Sequence, residues 1–373
     1  MPGHGKRPVP MNKKKINERP ERTANIGFVV IGRNEGERLR HCIESIREQS
    51  LALERVAEAD KFSSNNREKN KTFYPIVYVD SGSSDGSVAF AKSSGCYTVQ
   101  LDSTTMPFTA ARARNAGLEH LLENFPAIQW VQFVDGDCSL QPGWLPKAIT
   151  YLSVNPRVAI VCGRRREVYP QKTIYNALCD MEWDTPVGEA QSCGGDFLAR
   201  RVALESVKAF NPEMIAGEEP EMCFRLRKEK WRIWRLGEEM TSHDAAMTRF
   251  HQFWLRNKRA GYAYAERCFM HATKKRPYCV REVISICLWA LFIPGLIIMF
   301  VPVLPAISIL LFLSYPSMIV RVFIRRLKLR NTIRRSVVYS VLTMVGKFPQ
   351  FIGVAKFAVG KIAKSGSTII EYK

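Results

Sequence analysis

The chain has 373 residues, 46% hydrophobic and 24% charged, which is too apolar for a disordered polymer and long enough for one large or two ordinary folded domains. Its formal charge of +20 is concentrated, with +5 over residues 6–22, +7 over 256–281 and +7 over 321–335. That distribution excludes a uniformly basic nucleic-acid binder, and two of the blocks flank the most apolar stretch, which points to anionic lipid headgroups.

Residues 1–24 are Lys-, Arg- and Pro-rich, so a disordered basic tail is expected there. They also lack the apolar core of a secretory signal. Ten cysteines occur without any C-x-x-C pair, so the thiols are expected reduced, in a cytosol-facing protein without structural zinc. Ile26–Gly32 is an apolar run of strand length, and Leu39, Cys42, Ile43 and Ile46 then fall at helical spacing. Residues 50–74 are polar, with SSNNREKNK at their centre, and are expected to form a surface insertion.

A second strand, IVYVD, ends at Asp80 and leads through Ser81-Gly82-Ser83-Ser84-Asp85 into a helix. YTVQL at 97–101 is a third strand, and 108–124 a helix containing Arg112 and Arg114. The apolar run IQWVQFV at 128–134 then stops abruptly at Asp135-Gly136-Asp137. Two carboxylates either side of a glycine can hold one hard divalent cation, and the glycine lets a phosphate approach the backbone. A polar turn is the plainer reading of the triplet taken alone. Strands alternating with helices predict an α/β domain whose mainly parallel sheet is covered on both faces, with ligands at the C-terminal strand edge.

After Arg166 the pattern is irregular until Gly194-Gly195 opens a helix, and Gly217-Glu218-Glu219-Pro220-Glu221 opens another. Residues 248–282 are predicted as a long aromatic and basic amphipathic region. Residues 283–320 contain no charge and predict two short membrane spans or a hairpin broken near Pro302 and Pro305. Basic residues at both outer ends place those ends in the cytoplasm. Residues 321–373 predict a basic loop and an interfacial or re-entrant helix, because Lys347, Pro349 and Lys356 interrupt the apolar run.

Taken together these motifs resemble glycosyltransferase family 2, inverting nucleotide-sugar enzymes of the GT-A fold. The likeness covers roughly 25–266, with the catalytic domain at 25–247. Gly32-Arg33-Asn34-Glu35, Asp80-Ser81-Gly82-Ser83-Ser84-Asp85, Asp135-Gly136-Asp137, Gly194-Gly195 and the Gly217–Glu221 stretch occur in the family's order. The resemblance implies a UDP-sugar donor and a Mn2+ or Mg2+ ion held by Asp137 with Asp135, His243 being a possible third ligand. It implies that Asp80, Arg33 and Glu35 line the nucleoside pocket, that Asp135 touches the ribose or the metal's water shell, and that Arg112 or Arg114 meets the diphosphate. Gln252, Trp254 and Arg256 would close over acceptor or diphosphate.

The general base would fall on Glu219, with Glu218 and Glu221 as alternatives, since the family's usual aspartate is a glutamate here. The acceptor would be lipid-linked or a glycan. A polyprenyl-phosphate sugar transferase and a catalytically silent membrane scaffold are the competing readings. Each residue also has a plainer role: turn acid for Asp80, helix-dipole acid for Glu219, loop histidine for His243, surface arginine for Arg112.

Overall fold

The apolar runs become strands at the centre of a nine-stranded sheet. The computed structural model describes residues 25–62, 72–104 and 106–363; the basic tail expected at 1–24 and the centre of the 50–74 insertion lie outside them. In chain order the elements are β1 (Ile26–Gly32), α1 (Glu37–Phe62), β2 (Ile76–Asp80), α2 (Ser87–Ser93), β3 (Tyr97–Gln100), α3 (Ala110–Asn124), β4 (Trp130–Asp135), β5 (Cys138–Leu140) and α4 (Trp144–Val154). There follow β6 (Val158–Glu167), α5 (Ile174–Trp183), β7 (Gly188–Glu189), β8 (Phe197–Arg200), α6 (Arg201–Ser206), α7 (Glu218–Lys228), β9 (Arg232–His243) and α8 (Phe250–His271). The last are α9 (Val280–Cys287), a π-helical turn at Leu288–Phe292, α10 (Ile293–Phe300), α11 (Pro305–Lys328), α12 (Ile333–Val345) and α13 (Lys347–Ile362).

The strand order is β3-β2-β1-β4-β8-β6-β9-β5, with β7 beside β9. β3, β2, β1 and β4 run parallel, as the alternating strands and helices require. From β8 onward the sheet is mixed: β8 is antiparallel to both β4 and β6, while β6 and β9 are parallel. Phe28, Val29, Val77, Val79, Val131 and Phe133 are fully buried, so each central strand is covered on both faces. Gly117 of α3 lets that helix sit directly on β1 and β2, because a Cβ there would come 2.5 Å from Val29 and 2.8 Å from Val79.

The first helix runs further than its apolar spacing indicates. α1 does not stop before Ser50 but continues to Phe62, so the first half of the supposed insertion is helix. The SLALERVAEAD stretch contains strong helix formers and no Gly or Pro, and that outweighs its charge.

Three helical segments are long and apolar enough to cross a membrane: Val280–Phe300, Pro305–Lys328 and Ile333–Ile362. In the first, Pro294 has no N–H to donate to the preceding turn, and the widened turn at Leu288–Phe292 lies immediately before it. The third bends at Gly346, between α12 and α13. α13 then packs on α8 at backbone contact. A Cβ on Gly261 would meet the Gln350 carbonyl oxygen, and a Cβ on Gly353 the Lys258 carbonyl oxygen, both far inside van der Waals distance.

Glu266 on α8 has a buried carboxylate oxygen with no hydrogen-bond partner among the described residues. Burial pushes its pKa up to about 7, with Lys361 and Arg267 partly countering. The folded protein therefore holds this proton where the unfolded chain has lost it, so stability falls as pH rises from about 4.5 to about 7. Glu266→Gln should raise the melting temperature at pH 8 and change it far less at pH 5; equal shifts at the two pH values would refute this assignment.

Candidate active site

The site forms where β4 ends, because its last residue and the two that follow project from the rim of the sheet. Asp135 closes β4, and its backbone N–H donates to Asp196 Oδ1 at 2.9 Å. Asp196 is fully buried and lies just after Gly194-Gly195. Its other oxygen accepts from the Thr241 hydroxyl at 2.9 Å and pairs with Arg165 Nη2 at 2.7 Å. One carboxylate thus ties the glycine turn, β4, β6 and β9 together. Gly195 must be glycine, since a Cβ there would come 2.3 Å from Asp135 Oδ2 and 2.8 Å from Arg114 Nη2.

The two acids of the Asp-Gly-Asp triplet face different partners. Asp135 Oδ1 accepts from Arg114 Nη2 at 2.6 Å, and Arg165 lies 4.0 Å from Oδ2. Burial alone would raise the Asp135 pKa, but the two guanidiniums outweigh it and hold it at about 2. One of its oxygens is thus given to an arginine, while Asp135 also shares a potential donor group with Cys138 and Asp196. Asp137 Oδ2 instead lies 3.0 Å from His243 Nε2, and both residues are buried. Burial, reinforced by Arg165, lowers the His243 pKa to about 4, so the imidazole is neutral at pH 7. The Trp183 indole stacks on the ring at 4.6 Å and 17°, which fixes its plane.

A carboxylate and a neutral imidazole at that separation form the donor set of a borderline divalent cation, and the Cys138 thiol sits beside them. Charge supports the fit. Asp135, Asp137, Asp196, Glu218 and Glu219 are grouped around two guanidiniums, Arg114 and Arg165, leaving an excess of negative charge at a buried rim.

Glu218, Glu219 and Glu221 open α7 and share its N-terminal turn. Their partners separate them. Glu218 is paired with Arg114 at 2.6 Å, and Glu221, 1% exposed, with Arg225 at 2.7 Å and His271 at 2.8 Å. Glu219 meets no cation among the described residues. Its Oε1 accepts from the Cys193 N–H at 2.6 Å and from the Cys193 and Cys223 thiols at 3.0 and 2.9 Å. Oε2 has no partner among the described residues.

Asp80 is buried, and both of its oxygens are engaged. Oδ2 accepts the N–H groups of Gly82 and Ser83, and Oδ1 the Tyr78 hydroxyl. Asp80 thus builds the turn after β2. Asn34, Ser83 and Asp85 bond that turn to the one after β1. Arg33 lies 5.7 Å from the Phe108 ring, which covers Gly82, so these residues form one wall between the two turns. Glu35 pairs with Arg38 at 2.9 Å, and its stem packs against Gly136. Arg112 instead points back along its own loop to the Met106 carbonyl, while Arg114, two residues on, occupies the centre. Gln252 caps α8 and Arg256 pairs with Glu182 at 2.6 Å, so both serve the helix and its neighbour. Arg165, Asp196 and Trp183 were not anticipated. The available signals were an arginine run ending an apolar strand and an aspartate following two glycines.

A parallel half-sheet continued by a mixed half is the arrangement of the GT-A fold. Residues 28–192 match the family described as glycosyl transferase family 2, so the chain carries a domain of that family. No curated protein matches the chain. Among solved structures, the mannosyltransferase PcManGT from Pyrobaculum calidifontis, in complex with GDP-Man and Mn2+, is 15% identical with a TM-score of 0.54, covering 94% of this chain and 91% of its own. At that identity the likeness shows the fold. TarS from S. aureus is 13% identical with a TM-score of 0.43 over 65% of this chain, which spans 39% of the TarS chain. Glucosyl-3-phosphoglycerate synthase from Mycobacterium tuberculosis, with Mn2+, UDP and glucosyl-3-phosphoglycerate, is 18% identical with a TM-score of 0.43 over 66% of this chain and 80% of its own.

Proposed function

We propose that this chain transfers a sugar, with inversion, from a nucleoside diphosphate sugar to a lipid-linked or glycan acceptor at the cytoplasmic face of a membrane. The observation that carries the reading is the pairing of Asp137 with a neutral, ring-stacked His243 at the rim that also bears Glu219. Asp137 and His243 would hold Mn2+ or Mg2+, which when bound neutralises charge on the departing diphosphate. Arg33, Glu35 and the Asp80 turn would border the nucleoside, and Asp135, fixed by Arg114, the ribose. Glu219 Oε2 takes the proton of the acceptor hydroxyl. The acceptor oxygen then bonds to the anomeric carbon, and the carbon–oxygen bond to the diphosphate breaks on the opposite face.

Orientation follows from charge. Arg335 pairs with Asp180 of α5 at 3.1 Å, and Arg326 reaches the Met181 carbonyl, so the basic block where α11 ends and α12 begins packs against the catalytic domain. A cavity of about 380 Å³ lined by Phe224, Arg227, Lys228, Arg276, Pro277 and Tyr278, just before α9, suits an anionic headgroup or acceptor phosphate.

A thermal-shift panel of UDP- and GDP-sugars with Mn2+ on detergent-solubilised protein tests the donor and the metal together. A ligand at a hundred times its Kd adds about 2.7 kcal/mol of apparent stability, and uridine is the expected base. Asp137→Asn should lose the Mn2+-dependent part of the shift. Equal shifts with and without Mn2+ in the wild type would remove the metal from the account.

A further inference from the structure

Behind the proposed base lie two thiols that the transfer reaction does not use. Cys223 is one helical turn after Glu219 on α7 and therefore shares its face, while Cys193 comes from the loop before Gly194-Gly195. The two sulfurs are 3.7 Å apart, and each lies about a hydrogen-bond length from the same Glu219 oxygen. Glu219 and Cys223 are buried, and Cys193 is partly so. We propose that Cys193, Glu219 and Cys223 form a separate site for a thiophilic divalent cation of the Zn2+ class, whose occupancy takes the Glu219 carboxylate out of service. The inhibitory part rests on Glu219 being the base.

Geometry favours this over simple packing. Tetrahedral zinc with sulfur ligands at about 2.3 Å sets neighbouring sulfurs about 3.8 Å apart, which these thiols nearly match. The carboxylate oxygen, at 3.0 and 2.9 Å from the sulfurs, needs to withdraw by only about half an ångström to reach its own vertex. Three protein ligands leave the fourth position open, the arrangement of an exchangeable site. The donors also differ in kind from the Asp137–His243 pair, which offers one carboxylate and one imidazole where this site offers two thiolates, the softer ligands that favour zinc. Binding expels one proton from each thiol to solvent and needs no oxidant. Burial, with the Glu219 charge adding to it, pushes the Cys223 thiol up to about 12, and burial raises Cys193 as well. Both are therefore poor nucleophiles for disulfide exchange.

The test uses full-length, detergent-solubilised protein freed of metal and titrated with Co2+, whose thiolate charge-transfer absorption reports sulfur ligation. Wild type and Asp137→Asn should both develop the band, saturating at one equivalent and bleached by Zn2+. Cys193→Ser/Cys223→Ser should not, while still melting cooperatively and keeping its nucleotide-dependent thermal shift with Mn2+. Zn2+ should cut wild-type turnover by about 10²-fold, reversibly on chelation, and leave the residual activity of the serine variant unresponsive. Absence of the band in the wild type, its persistence in the serine variant, or isolation of a Cys193–Cys223 disulfide in place of bound metal would each overturn the site. The band does not depend on catalysis, so an active Glu219→Gln enzyme would refute the base and leave the metal site standing.

Discussion

Glu219→Gln should lower kcat by about 10²- to 10⁴-fold, the range for removing a positioned general base, with nucleotide-sugar affinity nearly unchanged. Glutamine keeps the shape of the side chain, and its carbonyl oxygen can still accept the Cys193 N–H. What it loses is the capacity to take a proton at the second position. The same change at Glu218 or Glu221 has a different expected signature. Those acids are neutralised by Arg114 and by Arg225, so their amides should cost stability first and turnover second. The deciding measurement is kcat at saturating acceptor beside the melting temperature of all three variants. If Glu218→Gln shows the large kcat loss at wild-type stability and Glu219→Gln does not, the base has been misassigned.

Arg114→Met should destabilise the fold by about 3–5 kcal/mol, because the guanidinium is 3% exposed and its removal leaves two carboxylates uncompensated. Burial disfavours a charged arginine, yet Asp135 and Glu218, each 2.6 Å away, more than reverse this and raise its pKa. The Phe210 ring, 5.6 Å from the guanidinium carbon, adds a cation–π contact that methionine replaces only in part. At about 2–4 °C per kcal/mol for a domain of this size, the melting temperature should fall by about 10 °C. Adding Glu218→Gln to Arg114→Met should recover part of the loss, since one unpaired charge disappears with it. A melting temperature within a degree or two of wild type would mean that water already compensates those carboxylates.

The parts of the fold legible from sequence are those where one local signal decides. β1, β2 and β4 are apolar runs buried on both faces, and α3 and α4 carry apolar residues at helical spacing. β9 was harder. Its second half, GEEMTSH, has no strand pattern of its own and is held extended by pairing with β6 on one side and β5 on the other. α5 sits in a stretch that reads as irregular, and it is stabilised by α12 and by Tyr175 stacking on Phe253, contacts invisible locally.

The site divides in the same way. Motif order singles out Asp137 and Glu219, and position after the last predicted strand singles out His243; the structure brings Asp137 and His243 to 3.0 Å. The partners that choose among them were not readable: Arg114 is about a hundred residues from Glu218, and Arg165 lies on β6 whereas Asp196 lies in the turn before β8. Sequence also could not tell that Asp80 spends both oxygens on its own turn.

The close crossing of α8 and α13 reaches further than the packing of two helices. α8 also braces the start of α7: a Cβ on Gly217 would come 3.1 Å from Ala263 and from Arg267, His271 grips Glu221, and Tyr278 donates to the Pro220 carbonyl. The proposed base is thus bolted, through two intermediaries, to the same greasy segments that would sit in the bilayer. Such a linkage makes the lipid a ruler rather than a tether. Under the proposed function it would set how high above the surface an acceptor hydroxyl must stand to be reached, and would select substrates by reach as much as by chemistry.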